Sequence, residues 1–557
     1  MKVKETFIFI MICLCCFSCK TSKIEADLII TNAVIWTANA NKPYANAIAI
    51  KSDTIIAIGE VEMINNYKGV HTKTINAERK FITPGFIDSH VHLMTGGRSL
   101  LSVDLRDAKT PTEFSKRVAD FTKTIEPNEW ILEGNWDHTL WGGALPHKDW
   151  IDEFTNENPV LLMRLDWHMA LANSAALKYA GLTNATPEVA GGTIEKDQHG
   201  NLTGILKDNA MNLVLDKMPA MTTAQKDKSF KAAMDYFLMN GVTSVHDVDG
   251  LNEKYESHST AKKYKANGKL KVRIYAATPL EEWRKLNDLK DESDNWLKTG
   301  CLKGFVDGSL GSHTAAFFDD YTDKKGDKGF FINSRKDLYN WILAADKAGL
   351  HLMVHAIGDS ANHITLNIFE EVIKENGDRD RRFRIEHAQH LHPNDIARFK
   401  QLGVIASMQP YHTIDDGRWA EEAIGPERIK TTYPFKSLLN NKATLAFGSD
   451  WAVAPASPIM GIYAAVGRQT LDGKNPNGWV PEQKITAEDA LLAYTKNAAY
   501  ASFEENIKGS LAVGKLADFV VLSDDLTKIS SEKIKTVQVL QTYVGGEKVY
   551  DLVTVKK

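Results

Sequence analysis

The middle of the sequence, residues 83–500, predicts an α/β fold: a (β/α)8 TIM-like barrel, with an accessory β-sandwich formed by both termini. Three observations carry this. Short apolar runs (GVTSVHDV, KVRIYAAT, LKGFVDG, LHLMVHAIGD, RFRIEHAQ, GVIASMQP, ATLAFGSD) alternate with amphipathic stretches such as ANHITLNIFEEVIKEN, the signature of repeated βα units with buried parallel strands. Histidines and carboxylates collect at the ends of those runs, where barrel enzymes carry their chemistry. Both ends of the chain are β-rich and differ in texture from the middle. A doubly wound sheet shares the alternation and is the competing architecture.

The elements follow in order. Residues 1–18 read as a lipoprotein-type signal peptide: a basic Met1-Lys2-Val3-Lys4, then an apolar stretch over 6–17 that is too short to span a bilayer. It stops at Cys16-Phe17-Ser18-Cys19-Lys20, which resembles a bacterial lipobox with Cys19 as the lipidated residue. A plain secretory signal or an apolar N-terminal helix is the alternative. Residues 19–82 carry β-branched runs punctuated by Asn, Asp and Gly, the N-terminal part of the sandwich. About 145 residues separate the first barrel strand from GVTSVHDV, too many for one βα unit, so an insertion or lid is expected over about 95–235. Residues 501–557 return to strands and turns and complete the sandwich.

Composition narrows the function classes. The net charge of −4 is spread along the chain, so no basic footprint for nucleic acid is present. Four of the five cysteines (Cys13, Cys15, Cys16, Cys19) lie in the leader, and Cys301 alone remains in the body, where it reads as a small buried hydrophobe. Core packing and metal, rather than a disulfide, then hold the fold. Export is expected, with lipid attachment to a bacterial membrane on its periplasmic or cell-surface side and no other membrane contact. A homo-oligomer is compatible with all of this.

The chemistry begins with His90 and His92 in PGFIDSHVH. Residues two apart on a strand share a face, so both imidazoles can meet one divalent metal, with Asp88 on the same side. An isolated His-x-His is often coincidental. Here His355 in HLMVHAIGD, His387 in FRIEHAQH and Asp450 in AFGSDWAV also end or follow apolar runs, which makes a metal site with an adjacent proton-transfer base. A core histidine for His355 or His387, and a helix cap for Asp450, are the bland readings. No G-x-S-x-G elbow occurs.

PGFIDSHVH resembles the first-strand motif of the amidohydrolase superfamily, and His355, His387 and Asp450 follow in the order of that family. KGSLAVGKLADFVVLSDD resembles the segment that closes its accessory sandwich. RLDWHMALANSAAL, GGTIEKDQHGNLTGIL, DGSLGSHTA, FGSDWAVAPASPIMGIYAAVGRQ and YTKNAA are similar to the amidohydrolase-3-type branch, which includes N-substituted formamide deformylases. The likeness runs from about 27 to 545. It implies that His90, His92, His355, His387 and Asp450 bind one or two divalent ions, zinc foremost, and that Asp450 moves the proton of an activated water. Lys303 in CLKGFVDGS matches the strand where many members carry a carboxylated lysine bridging two metals; a lysine supporting Asp307, or a carboxylate such as Asp208 binding instead, stays open.

His168 resembles a family residue that faces the pocket, where it can hydrogen-bond a carbonyl oxygen; a structural surface role is the alternative. Asp307, Ser309 and His313 in the DGSLGSHTA loop, and Trp451, are candidate substrate contacts, with Trp136 and Trp141 as further apolar wall and Arg468 as a loop brace. Asn173 reads as a helix N-cap. The expectation is a hydrolase that cleaves a non-peptide, amide-type C–N bond of a small molecule. An esterase, lactonase, phosphoesterase or deaminase on the same fold is one alternative, and a non-catalytic solute-binding lipoprotein is another.

Overall fold

Eight parallel strands form one sheet in chain order: Phe86–Val91, Val242–Asp247, Arg273–Pro279, Leu297–Phe305, His351–Ala356, Arg384–His387, Ile405–Met408 and Thr444–Phe447. The computed structural model describes residues 24–251, 256–289 and 293–555. The leader and Cys19 lie outside the described residues. Most of these strands are buried along their whole length, as continuous apolar runs covered by helices should be. Outward-facing Ile274, Leu302, Val354, Ile385 and Leu445 share one core with helix residues such as Leu338, Ile342, Phe369 and Phe399.

The sheet curls until its edges nearly meet. The Asp450 amide donates to the His90 carbonyl (2.8 Å) and the His92 amide to the Trp451 carbonyl (2.6 Å), so the end of the last strand is tied to the end of the first. Gly85, just before the first strand, stands where any Cβ would fall 2.2 Å from the Thr243 hydroxyl; only glycine lets the first two strands approach this closely.

A five-stranded sheet (Ile131–Trp136, Val160–Arg164, Met169–Ala172, Gly192–Lys196, Leu202–Asp208) fills the segment between the first and second barrel strands. The turn Leu165–His168 and the end of its last strand at Asp208 look onto the barrel mouth. Asn173 caps the helix Ser174–Ala180 by accepting from the Ala176 amide.

The two chain ends make two more sheets. Leu28–Thr31, Ala47–Lys51, Thr54–Gly59 and Lys73–Asn76 form one of four strands. The other, of six, joins Val34–Trp36, Tyr44–Ala45 and Phe81–Pro84 from the N-terminal side to Phe519–Leu522, Val539–Val544 and Glu547–Asp551 from the C-terminal side. Ile48, Ile50 and Ile58 of the first meet Phe519, Val521 and Tyr543 of the second in one apolar cluster. Among the described residues, no helix is long and apolar enough to cross a membrane.

Arg273, on a barrel strand, makes a buried two-pronged ion pair with Asp518 (2.7 and 2.9 Å), which also accepts from the Gly545 amide (2.7 Å). Asp518→Ala would strand a buried guanidinium, so the variant is expected to lose about 3 kcal/mol of stability. Urea titration followed by circular dichroism checks this; an unchanged midpoint contradicts it.

Candidate metal centre

His90 and His92 leave the first barrel strand and Asp450 leaves the last, and the seam brings them together. One ligand atom from each lies within 4.8 Å of the others. Asp450 Oδ1 stands 3.4 Å from Nε2 of both His90 and His92. Asp450 and His387 each hold a positive φ, 60° and 72°, a costly conformation for a side-chain-bearing residue that clusters at functional sites.

Each imidazole is aimed from behind. His90 Nδ1 donates to Glu386 Oε2 (2.6 Å) and His92 Nδ1 to Asp249 Oδ2 (2.7 Å). A carboxylate on Nδ1 fixes the tautomer and leaves the Nε2 lone pair for a metal. Glu386 is gripped in turn by buried Arg384 (2.8 Å), which also reaches the Ser89 carbonyl and the Ser407 hydroxyl. His355 points Nε2 at the Gly308 carbonyl (3.1 Å), which leaves Nδ1 as its acceptor nitrogen. Its ring centroid lies 4.5 Å from that of His387, which lies 5.1 Å from that of His90. Lys303 Nζ completes the group, 3.1 Å from His90 Nε2.

The electrostatics suit a cation. Burial, with the Lys303 charge beside it, pushes His90 down to about 4, and burial with like-charged neighbours holds His355 and His387 well below the usual imidazole range. Burial also lowers the Lys303 ammonium. At His92 burial opposes protonation, but Asp249 and Asp450 prevail and carry it up to about 10. Burial would raise Asp450 as well; His90, His412 and His92 instead hold it well below the carboxylate range. Imidazoles with Nε2 turned to one ionised carboxylate in a buried pocket are the donor set of a zinc-type ion, which would take the place of the proton that Asp249 and Asp450 hold on His92, so the residues present fit such a group.

These residues floor a cavity of about 380 Å³ whose walls include His168, Asp208, Ser309, Trp167, Trp419 and Asp416. His168 Nδ1 donates to Asp208 Oδ1 (2.6 Å), which turns Nε2 away from that carboxylate. A broader surface depression of about 560 Å³ lies on the inserted sheet, with His147 the one histidine on its wall.

Several sequence expectations need correction. Asp307 does not line the cavity: it is buried behind His355 and accepts the amides of Ala316, Ile357 and Gly358, so it shapes the loop. His313 faces outward and pairs with Asp323 (3.1 Å). Trp451 packs on Tyr236 and Phe237, behind the seam. Trp136 is core and Trp141 packs on Phe114 and Trp150. Asp88 accepts from the Ser449 amide and hydroxyl. Ser309 does line the cavity, donating to Asp166 (2.5 Å). Arg468 donates to the carbonyls of Trp479, Tyr433 and Thr432.

Sequence reasoning missed Glu386, Asp249, His412 and Asp416. Glu386 left a signal, a carboxylate directly before His387 in the strand run RFRIEHAQ; Asp249, just beyond the run GVTSVHDV, left a fainter one.

A family model described as Amidohydrolase family matches residues 73–550. Protein LONG AFTER FAR-RED 3 of Arabidopsis thaliana is 41% identical over 95% of this chain and 92% of its own length. N-substituted formamide deformylase of Arthrobacter pascens is 28% identical over 93% of this chain and 97% of its own. The crystal structure of an uncharacterized metal-dependent hydrolase from Pyrococcus horikoshii superposes with a TM-score of 0.74 at 27% identity, covering 91% of this chain and 99% of that one. With this geometry in place, the chain belongs to the Amidohydrolase family.

Proposed function

We propose that this chain hydrolyses a non-peptide, amide-type C–N bond of a small molecule at a divalent-metal centre. The observation that carries the reading is the convergence of His90, His92 and Asp450, with both Nδ1 atoms held by buried carboxylates. The name of the Arthrobacter relative, a deformylase of N-substituted formamides, supports an amide bond.

His90, His92 and Asp450 would hold one ion, zinc foremost. His355 and His387 would serve it or a second ion bridged by a carboxylated Lys303. Such an ion polarises a carbonyl and makes water easier to deprotonate. Asp450 divides its labour: Oδ1 faces His90 and His92, while Oδ2 faces His412 (3.7 Å) and is free to move a proton. As water forms the new C–O bond, Asp450 takes its proton; as the C–N bond breaks, it returns that proton to the leaving nitrogen. His168, with Nδ1 fixed by Asp208, presents Nε2 to the carbonyl oxygen.

The two terminal sheets are read as one β-sandwich. We also propose that residues 1–18 are a cleaved leader and that Cys19 is lipidated, supported by the pattern of residues 1–20. Mass spectrometry of the exported chain tests this: a lipid-modified N-terminal Cys19 is expected, and an intact Met1 terminus contradicts it.

Asp450→Asn is expected to lower kcat by roughly a hundredfold or more with the metal retained by the histidines. Kinetics on an amide panel with elemental analysis of the same sample checks this; full turnover overturns the proton role. Glu386→Gln is expected to weaken metal affinity by about 10- to 100-fold, read by equilibrium dialysis. Unchanged affinity would mean that Glu386 does not orient His90.

A further inference from the structure

Five carboxylates line the cavity: Asp166, Asp208, Asp249, Asp416 and Asp450. Four are matched to a basic group: Asp166 to Arg164 (2.6 Å), Asp208 to His168 (2.6 Å), Asp249 to His92 (2.7 Å) and Asp450 to His90 and His92 (3.4 Å). Asp416 alone has no ion pair within 4 Å among the described residues. Its Oδ2 accepts the Tyr433 hydroxyl (2.5 Å) and the Gln389 amide (3.0 Å). Those two bonds fix the carboxylate and leave Oδ1 without a hydrogen-bond partner among the described residues.

The basic groups that bear on Asp416, His412 and Arg164, act from beyond ion-pair distance and are committed to other carboxylates. Arg164 is committed to Asp166 and Asp137, and Arg418 to Asp137 and Asp415. Two guanidiniums thus serve three other carboxylates. His412, four residues before Asp416 on the same helix face, turns Nε2 to Asp450. Burial pushes Asp416 up to about 6, against the opposing pull of His412 and the Tyr433 hydroxyl. Trp419 and Trp167, both half-buried, also line the cavity, Trp167 beside His92, and aromatic rings in a binding cavity favour a cation.

We propose that the Asp416 end of the cavity receives a cationic nitrogen of the substrate, so that the molecules cleaved are acylated diamines or comparable acylated bases, cut at the acyl end beside Asp450. This rests on the amide-hydrolase reading above. The spacing agrees with it: Asp416 lies four residues, about 6 Å of helical rise, beyond His412, which borders Asp450. A short aliphatic tether between the scissile amide and the charge spans that step. The hydrolysis conserves the charge: water adds, the C–N bond breaks, and a carboxylic acid and a free diamine leave.

The test compares N-acetylputrescine with its uncharged isostere N-pentylacetamide, and the corresponding formamides, on zinc-loaded full-length enzyme and on Asp416→Asn. The expected result is a preference of about tenfold or more in kcat/KM for the cationic member of each pair. In Asp416→Asn that preference should shrink to about twofold through loss on the cationic substrate alone, with metal content and thermal midpoint unchanged. Equal rates on both members, or an equal fall on both in the variant, would overturn the proposal while leaving the hydrolase reading intact. If neither is cleaved, calorimetric binding of the same pair decides: tighter binding of N-acetylputrescine that Asp416→Asn abolishes supports the cationic site and counts against the reaction. Equal binding overturns the site itself.

Discussion

The seam between the first and last barrel strands governs the rest of the site. Two backbone hydrogen bonds, from the Asp450 amide to the His90 carbonyl and from the His92 amide to the Trp451 carbonyl, join residues about 360 positions apart. Backbone bonds of this kind hold their partners to within a few tenths of an ångström. Because they fall at the strand ends, the side chains of His90, His92 and Asp450 are placed by the same contacts that close the sheet. Barrel closure and site assembly are therefore one event, and Gly85, which lets the first two strands touch, belongs to both.

Behind the imidazoles stands a second layer that aims them. Glu386 and Asp249 hold the Nδ1 atoms, and Arg384 holds Glu386 from the barrel interior while also tying down Ser89 and Ser407. Burying this many charges is costly unless each finds a partner, and within the chain each ionised member of the layer does. What the layer secures is geometry: two rings with Nε2 pointing at one carboxylate. Asp416 is the exception in the cavity wall, held by two neutral donors and by no cation.

Much of the barrel was legible in the sequence because parallel strands buried on both faces leave unbroken apolar runs. His90, His92, His355, His387 and Asp450 stood out as polar residues ending or following such runs, Lys303 came only from the family resemblance, and all of them face the cavity. Less legible were the residues that loop geometry decides. DGSLGSHTA folds back on itself, so Asp307 is consumed by backbone amides and His313 turns outward, while Ser309 between them reaches the cavity. Trp451 follows Asp450 directly, yet its ring passes to the far side of the seam. Asp249 left only a faint local pattern and Asp416 none, since their importance lies in partners that are distant in sequence.

The account stands or falls on a cation at the seam. An anomalous-difference map at the zinc edge, from crystals of the zinc-loaded full chain, tests this most directly. The account predicts a peak bounded by Nε2 of His90 and His92 and by Oδ1 of Asp450, with a second peak near His355 and His387 if Lys303 is carboxylated. A protein that hydrolyses amides yet shows no peak among these residues would contradict it.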